Sequence, residues 1–389
     1  MDDQRHAARV PGDDRAGARA GPRRDRLHHL QPAARGEGAY RVPPDDRRRD
    51  RPSRGRARPL TVLRPFTLHR PETADEACAL LARLGEDSAA YAGGTELLLM
   101  MKLGLLRPRH LVDVKRIRGF GEIGLESHLG PRGPSPATAG GANSEGTRLT
   151  IGAAVTHRAV ERSALVGARC PLVGSVARHV ANVRVRNVGT VGGNLAFADP
   201  HSDLATLFLT LAASVELVSP RGRRELPLAD FVRGPWETAR ASDELLAAVR
   251  LTPWAGDTAA AYVKFGVHER PTLAVAAALR LDGPVGAGRR GGDRIVDARV
   301  AVGCVGPKPE RAAAAEACLR GASVADLEDA ARAASDIAAA GVDPADDLYG
   351  SADYKREMVA VFVRRALGIA AARARGVAPA TRFPHAVVA

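Results

Sequence analysis

Residues 65–114 read PFTLHRPETADEACALLARLGEDSAAYAGGTELLLMMKLGLLRPRHLVDV, and this stretch decides the fold of the first half of the chain. Pro65–Leu68 has strand character. Thr73 and Glu76 then form a T-x-x-E capping box, a pairing that satisfies two otherwise orphaned amides at a helix start. Ala77, Leu80, Leu81 and Leu84 follow at helical spacing, and Gly85 closes that helix. Ser88–Ala92 reads as a second strand, Leu97–Leu103 as a turn or two of helix, and Leu111–Val114 as a third strand. Strands alternating with helices at this spacing predict a small parallel sheet.

Beyond this unit the pattern changes. Residues 121–147 are rich in Gly, Pro and Ser and read as a surface excursion. Leu149–Ile151 resumes strand character, with helical patterns through Val160 and again through Val180. Val191–Pro200 reads as a glycine-rich loop, Leu204–Leu211 as helix and Ser214–Val218 as strand. A second unit starts near Trp236. Its strands are Leu245–Leu251, Ala261–Phe265, Leu273–Leu281 and Arg294–Val302. Ala-rich helices over Glu310–Leu319, Val324–Ala340 and Tyr354–Ala372 come after them. Strands first and helices after imply an α+β domain. The expected organisation is an Arg-rich extension over 1–62 and a first domain over 63–236, with parts at 63–118 and 119–236. A second domain over 237–372 and a tail over 373–389 complete it.

Composition narrows the function. The chain has 389 residues, 45% of them hydrophobic, and a net charge of +13. No run of 18 apolar residues occurs, so no transmembrane helix is expected. No apolar segment follows the charged N-terminus, so no secretory signal is expected either. Of 57 basic residues only five are Lys, leaving 57 − 5 = 52 Arg. Residues 1–60 hold 16 Arg against 9 acidic residues, a net +7, so 13 − 7 = +6 remains for the rest. A nucleic-acid groove would cluster its basic residues on a folded face among aromatics. Here the excess sits in one terminal segment and aromatics are 4% of the chain. We read it as the bias of an Arg- and Ala-rich proteome, and residues 1–60 as disordered. Cys78, Cys170, Cys304 and Cys318 are far apart, without metal-ligand spacing. The chain should carry no iron–sulfur cluster and no zinc of its own, and isolated thiols fit the cytoplasm.

Two glycine-rich segments stand out. Ala92-Gly93-Gly94-Thr95-Glu96 lies between a strand and a helix start. Thr190-Val191-Gly192-Gly193-Asn194 precedes Asp199-Pro200 and Ser202-Asp203. Glycine lets a backbone approach a ligand closely, and successive amides at a helix start can cradle a pyrophosphate. Each segment taken singly also reads as a tight turn that needs glycine for its geometry alone. Neither has the dinucleotide or P-loop spacing of glycines, so Rossmann and P-loop sites are excluded.

Taken together, AGGTELL at 92–98 and RNVGTVGGNLAFADPHSD at 186–203 resemble the FAD-binding subunit of the molybdenum hydroxylases. The segments LHRPETADEACALLA, LVDVKRI, LTIGAAVTHRAVE, VGCVGPKPERAAAAEACLRG and GSADYKREMVAVFVRRAL resemble it too, so the likeness spans about residues 64–372. The resemblance implies a two-part FAD-binding domain and a C-terminal domain of antiparallel sheet and helices. It implies that amides of Ala92, Gly93, Gly94, Thr95 and Glu96 hold the pyrophosphate. The Thr190 hydroxyl and the amides of Gly192 and Gly193, within the segment that includes Val191 and Asn194, are further implied donors. Asp203 matches a carboxylate that fixes the dinucleotide through a sugar or ring donor, although a helix N-cap role is open to it. Leu246 matches an apolar contact with the flavin. Lys264 matches a basic residue near the ring end, and by itself it reads as a solvated strand residue. Some relatives carry an Arg pair and an Asp after that lysine, whereas this chain has Val267-His268-Glu269-Arg270-Pro271-Thr272, with Arg270 as one basic group and no Asp. The segment 121–147 contains no Cys, unlike the cluster-bearing insertion of the 4-hydroxybenzoyl-CoA reductase subunit.

The resemblance therefore implies an electron-transfer flavoprotein subunit, with FAD on this chain and no substrate-hydroxylating residue of its own. Molybdopterin would lie on a large partner and two [2Fe–2S] clusters on a small one, in a dimer of heterotrimers. His157, His179, His201 and His268 are scattered and read as surface or capping residues. Two alternatives stay open at this point. One is a stand-alone FAD oxidoreductase. The other is a basic nucleic-acid-binding protein.

Overall fold

The computed structural model describes residues 63–127, 147–266, 270–286 and 292–389. The expectation of disorder for residues 1–60 and most of the 121–147 segment lie outside these.

The first unit has β1 (Thr67–His69), α1 (Ala74–Leu84), β2 (Ser88–Tyr91), α2 (Leu97–Lys102) and β3 (His110–Asp113). The strands pair in parallel in the order β1-β3-β2, as the alternation of elements predicts. Thr73 Oγ1 accepts the Glu76 amide at 3.2 Å, and Gly85 ends α1 with φ +54°. α1 buries Ala77, Cys78 and Leu81. The Cys78 thiol donates to the Val218 carbonyl at 3.3 Å, tying this unit to the next sheet.

That sheet is antiparallel. After β4 (Ile123–Ser127) and β5 (Thr147–Gly152) the chain runs through six helices. These are α3 (His157–Arg162), α4 (Ala164–Arg169), α5 (Pro171–Arg178), α6 (Val183–Val188), α7 (Val191–Phe197) and α8 (Asp203–Thr210). It returns as β6 (Ser214–Ser219), β7 (Gly222–Pro227), a turn of helix α9 (Leu228–Phe231), the short hairpin β8 (Val232–Gly234) and β9 (Glu237–Thr238), and β10 (Leu245–Leu251). The strand order is β4-β5-β10-β6-β7.

Three sequence readings are corrected here. Residues 123–127 of the expected excursion form β4, paired with β5. Val191–Phe197, read as loop because of its glycine pair, is helical because Thr190 caps it. Leu245–Leu251, grouped by sequence with the second unit, is instead the central strand of this antiparallel sheet, between β5 and β6. A strand's own residues do not say which sheet it joins; the pairing partners are about 30 and 100 residues back along the chain.

The last unit holds β11 (Thr258–Phe265), β12 (Leu273–Leu281), β13 (Ile295–Gly303), β14 (Glu310–Arg311), α10 (Ala313–Leu319), α11 (Glu328–Ala340), α12 (Ala352–Ala374) and β15 (Ala386–Val388). Its antiparallel sheet has the order β14-β13-β12-β11-β15. Residues 373–389 are thus no loose tail, because β15 pairs with β11. Both faces of this sheet are covered, which explains the apolar run from Leu273 to Leu279 in β12. Ala261, Val263, Val275 and Val300 pack under the C-terminal helices. Tyr262, Ala274, Ala276 and Ala301, on the other face, join the core of the first unit. There α8 lies so close that a Cβ on Gly303 would collide with Thr206.

Candidate functional site

One cleft of about 560 Å³ lies between the two glycine segments. The first segment leaves β2 and enters α2. Gly94 has φ +72°, a conformation that glycine adopts without strain. The amides of Gly93, Gly94, Thr95 and Glu96 donate no hydrogen bond among the described residues. Lys115, at this edge, is committed elsewhere. Its ammonium bonds Asp113 Oδ1 at 2.7 Å and the Ala92 carbonyl at 3.0 Å, and lies 3.9 Å over the Tyr91 ring.

The second segment is built differently from expectation. The Gly192 amide donates to the Ala153 carbonyl at 2.9 Å, and the Gly193 amide donates to Thr190 Oγ1 at 3.0 Å. Neither is left for a ligand, because both are used in seating and capping α7. The Thr190 hydroxyl accepts in that cap and keeps its own proton to donate. A Cβ on Gly192 would run into Ala153, so this glycine serves close packing of chain on chain.

Asp203 is also rearranged. Ser202, one residue earlier, caps α8 by accepting the Ala205 amide at 3.1 Å, so the N-cap role does not fall to Asp203. The buried Asp203 carboxylate accepts from the Tyr262 hydroxyl at 2.6 Å and from Lys264 Nζ at 2.9 Å. Lys264 donates further to the His179 carbonyl at 2.6 Å. It is 4% exposed, so its reading as a solvated strand residue is corrected: β11 turns it inward.

Ala92, Gly93, Gly94, Thr95, Glu96, Thr190, Gly192, Gly193, Asn194, Asp203 and Leu246 line the cleft together. Val191 and Lys264 do not; Val191 faces the core, and Lys264 stands behind Asp203. Sequence reasoning gave Asp199 no role and His201 only a surface or capping one. Arg270 reaches Asp199 at 3.0 Å and Glu96 at 3.6 Å, bridging the two segments. The His201 ring and amide hold Asp199 Oδ1 at 3.0 and 2.9 Å. Burial works to raise the Asp199 carboxyl, but the His201 hydrogen bonds and the Arg270 charge outweigh it and hold it below the usual carboxylate range. Burial raises Glu96, against the opposing Arg270 charge. The sequence signals for this bridge were Asp199-Pro200, after the second glycine segment, and Arg270 as the basic group after Lys264. His157 also lines the cleft; it is no surface residue. Burial, helped by the Arg186 charge, pushes its imidazole down to about 4, and its Nδ1 has no hydrogen-bond partner among the described residues.

Among the described residues no cluster of three or more His, Cys, Asp or Glu could hold a metal ion. No helix among them is long and apolar enough to cross a membrane. The family model for the FAD binding domain in molybdopterin dehydrogenase matches residues 64–254. That for the CO dehydrogenase flavoprotein C-terminal domain matches residues 260–370. The chain belongs to the FAD-binding medium subunits of the molybdenum hydroxylase family. It is an oxidoreductase subunit and FAD is its cofactor. Within the family it is similar to the carbon monoxide dehydrogenase medium chain of Hydrogenophaga pseudoflava, at 34% identity over 79% of this chain and 98% of that one. It is 30% identical to the nicotine 6-hydroxylase medium subunit of Paenarthrobacter nicotinovorans, over 78% of this chain and 96% of that one. Among solved structures, carbon monoxide dehydrogenase from Hydrogenophaga pseudoflava superposes with a TM-score of 0.69 at 34% identity, over 80% of this chain and 99% of that one. Quinoline 2-oxidoreductase from Pseudomonas putida 86 gives 0.68 at 28% identity, over the same shares.

Proposed function

We propose that the cleft between the two glycine segments is the FAD site. The observation that carries this is the row of undonated amides from Gly93 to Glu96 at a helix start, which fits the diphosphate of a dinucleotide. The cleft's volume also falls in the range of cofactor pockets. In this assignment the four amides and the Thr190 hydroxyl hold the pyrophosphate, with Ala92 beside them. Val191, Gly192, Gly193 and Asn194 shape the facing wall. Leu246 supplies an apolar contact. Asp203 accepts from a donor of the dinucleotide, and Lys264 neutralises Asp203 from behind. Bound FAD accepts electrons singly and releases them in pairs, which is the chemistry the site supplies.

Family membership supports its place in a complex. Electrons come from [2Fe–2S] clusters on a small partner subunit, after substrate oxidation at molybdopterin on a large one, and leave to an external acceptor. Relatives with medium chains of this type are named for carbon monoxide, nicotine and glyceraldehyde, which supports a substrate chosen outside this chain. We place the assembly in the cytoplasm as a dimer of heterotrimers. The domain boundary is proposed between β10 and β11, at 252–257, where the chain leaves one sheet for the other.

Competition binding tests the site. The apoprotein should bind FAD, ADP should displace it, and FMN, which lacks the pyrophosphate bridge, should bind far more weakly. FMN binding as tightly as FAD would remove the amide cradle from the account.

A further inference from the structure

Along β11, side chains alternate between two cores. Ala261 and Val263 point to the C-terminal helices, while Tyr262 and Lys264 cross to α8. Residues two apart on a strand share a face and stand about 6.6–6.8 Å apart along it. That spacing lets the two side chains take one carboxylate from two sides. Tyr262 donates to Asp203 Oδ1 and Lys264 to Oδ2.

We propose that Tyr262 is a positioning residue of the flavin site, fixing the Asp203 carboxylate as an acceptor turned to the cleft. The inference rests on the assignment of FAD to that cleft. Lys264 alone could neutralise Asp203, but a single donor on one oxygen leaves the carboxylate free to turn. Lys264 is itself tethered to the His179 carbonyl, behind the cleft wall. The second donor, on the other oxygen, fixes the plane of the group. Each oxygen retains a lone pair, and Asp203 lines the cleft. Tyr262 is fully buried, and its phenol is pushed well above its ordinary value by burial and then by the Asp203 charge. It therefore stays protonated and can only donate to the carboxylate. The C-terminal domain thereby contributes to flavin binding without its own side chains Tyr262 and Lys264 lining the cleft.

The test is Tyr262→Phe, which keeps the ring and its packing and deletes one oxygen. The FAD Kd of the apoprotein should rise about 3- to 10-fold, the worth of one net hydrogen bond. Placed on an Asp203→Asn background, the same change should add less than it does alone, because asparagine keeps an acceptor oxygen but not the carboxylate that Tyr262 positions. Near-UV circular dichroism and the thermal midpoint establish that each variant is folded. An unchanged Kd in the folded Tyr262→Phe protein would overturn the proposal. So would an effect that adds in full to Asp203→Asn, which would mean that Tyr262 acts on the fold and not through the carboxylate. Loss of ADP competition in the wild-type chain would instead sink the cleft assignment, whatever Tyr262 does.

Discussion

Gly93 lies directly against the carbonyl of Val188, so near that a Cβ on Gly93 would overlap the Val188 oxygen. The first glycine segment thus packs against Val188 and Gly189, the chain that leads into the second segment almost a hundred residues later. The first supplies free amides, and the chain leading into the second supplies the surface that holds them in place.

A mutation at Gly93 should therefore act on fold and cofactor together. In the structure Gly93 and Gly192 each meet backbone, Val188 in one case and Ala153 in the other. Gly93→Ala and Gly192→Ala should each cost about 1–3 kcal/mol in urea denaturation of the apoprotein, the usual penalty of overpacking. Unchanged denaturation midpoints would show that the wall yields easily.

Asp203→Asn should weaken FAD binding by about ten- to hundredfold. It should also lower the thermal midpoint of the apoprotein, because it leaves the Lys264 ammonium buried with no counter-charge. A helix-capping role would have left stability untouched, since Asn caps as well as Asp. Differential scanning calorimetry of the apoprotein separates the two.

Stability should fall as the solution is acidified below about pH 6.5, partly through His157. The unfolded chain binds this proton near 6.5, whereas burial and Arg186 delay it to about 4 in the folded protein. The unfolded state then holds more protons throughout that window, so acidification favours it, by up to ~1.4 kcal/mol per pH unit. His157→Phe, neutral at every pH, should flatten urea midpoints measured between pH 7 and 5. An equal slope in the variant would mean that His157 does not titrate as its burial implies.

A chain starting at Leu63 should keep its flavin content and thermal midpoint. Residues 1–62 are Arg-, Asp- and Pro-rich and offer few apolar side chains for docking. A fall of more than a few degrees in the midpoint would show that this segment docks.

Local signals were the legible ones. The Thr73–Glu76 box, the spacing of Ala77 and Leu81, and the strands around them lie within a few residues of one another, and the first sheet was readable from them. Val191–Phe197 was not, because its glycines argue against helix and only the Thr190 cap argues for it. Leu245–Leu251 read as a strand, but its place between β5 and β6 depends on distant partners. β15 was missed because three residues at a chain end carry almost no pattern. In the site, the residue types at Gly93, Gly192 and Asp203 were legible, but not which groups were already engaged. That Gly192 and Gly193 spend their amides on the protein, and that Asp203 meets Tyr262 59 residues later, are facts of packing.

The role of electron outlet in a larger complex is the one proposed for this chain. It is tested most directly by removing FAD from the intact assembly with mild acid, which should release it to the supernatant because neither glycine segment holds a Cys or His to bind it covalently. Reduction of the external acceptor should then be abolished, while artificial dyes that draw electrons upstream continue to be reduced by substrate. Re-adding FAD should restore the first activity. Parallel loss of both activities, with neither returning, would contradict the relay role and place this chain at the substrate site.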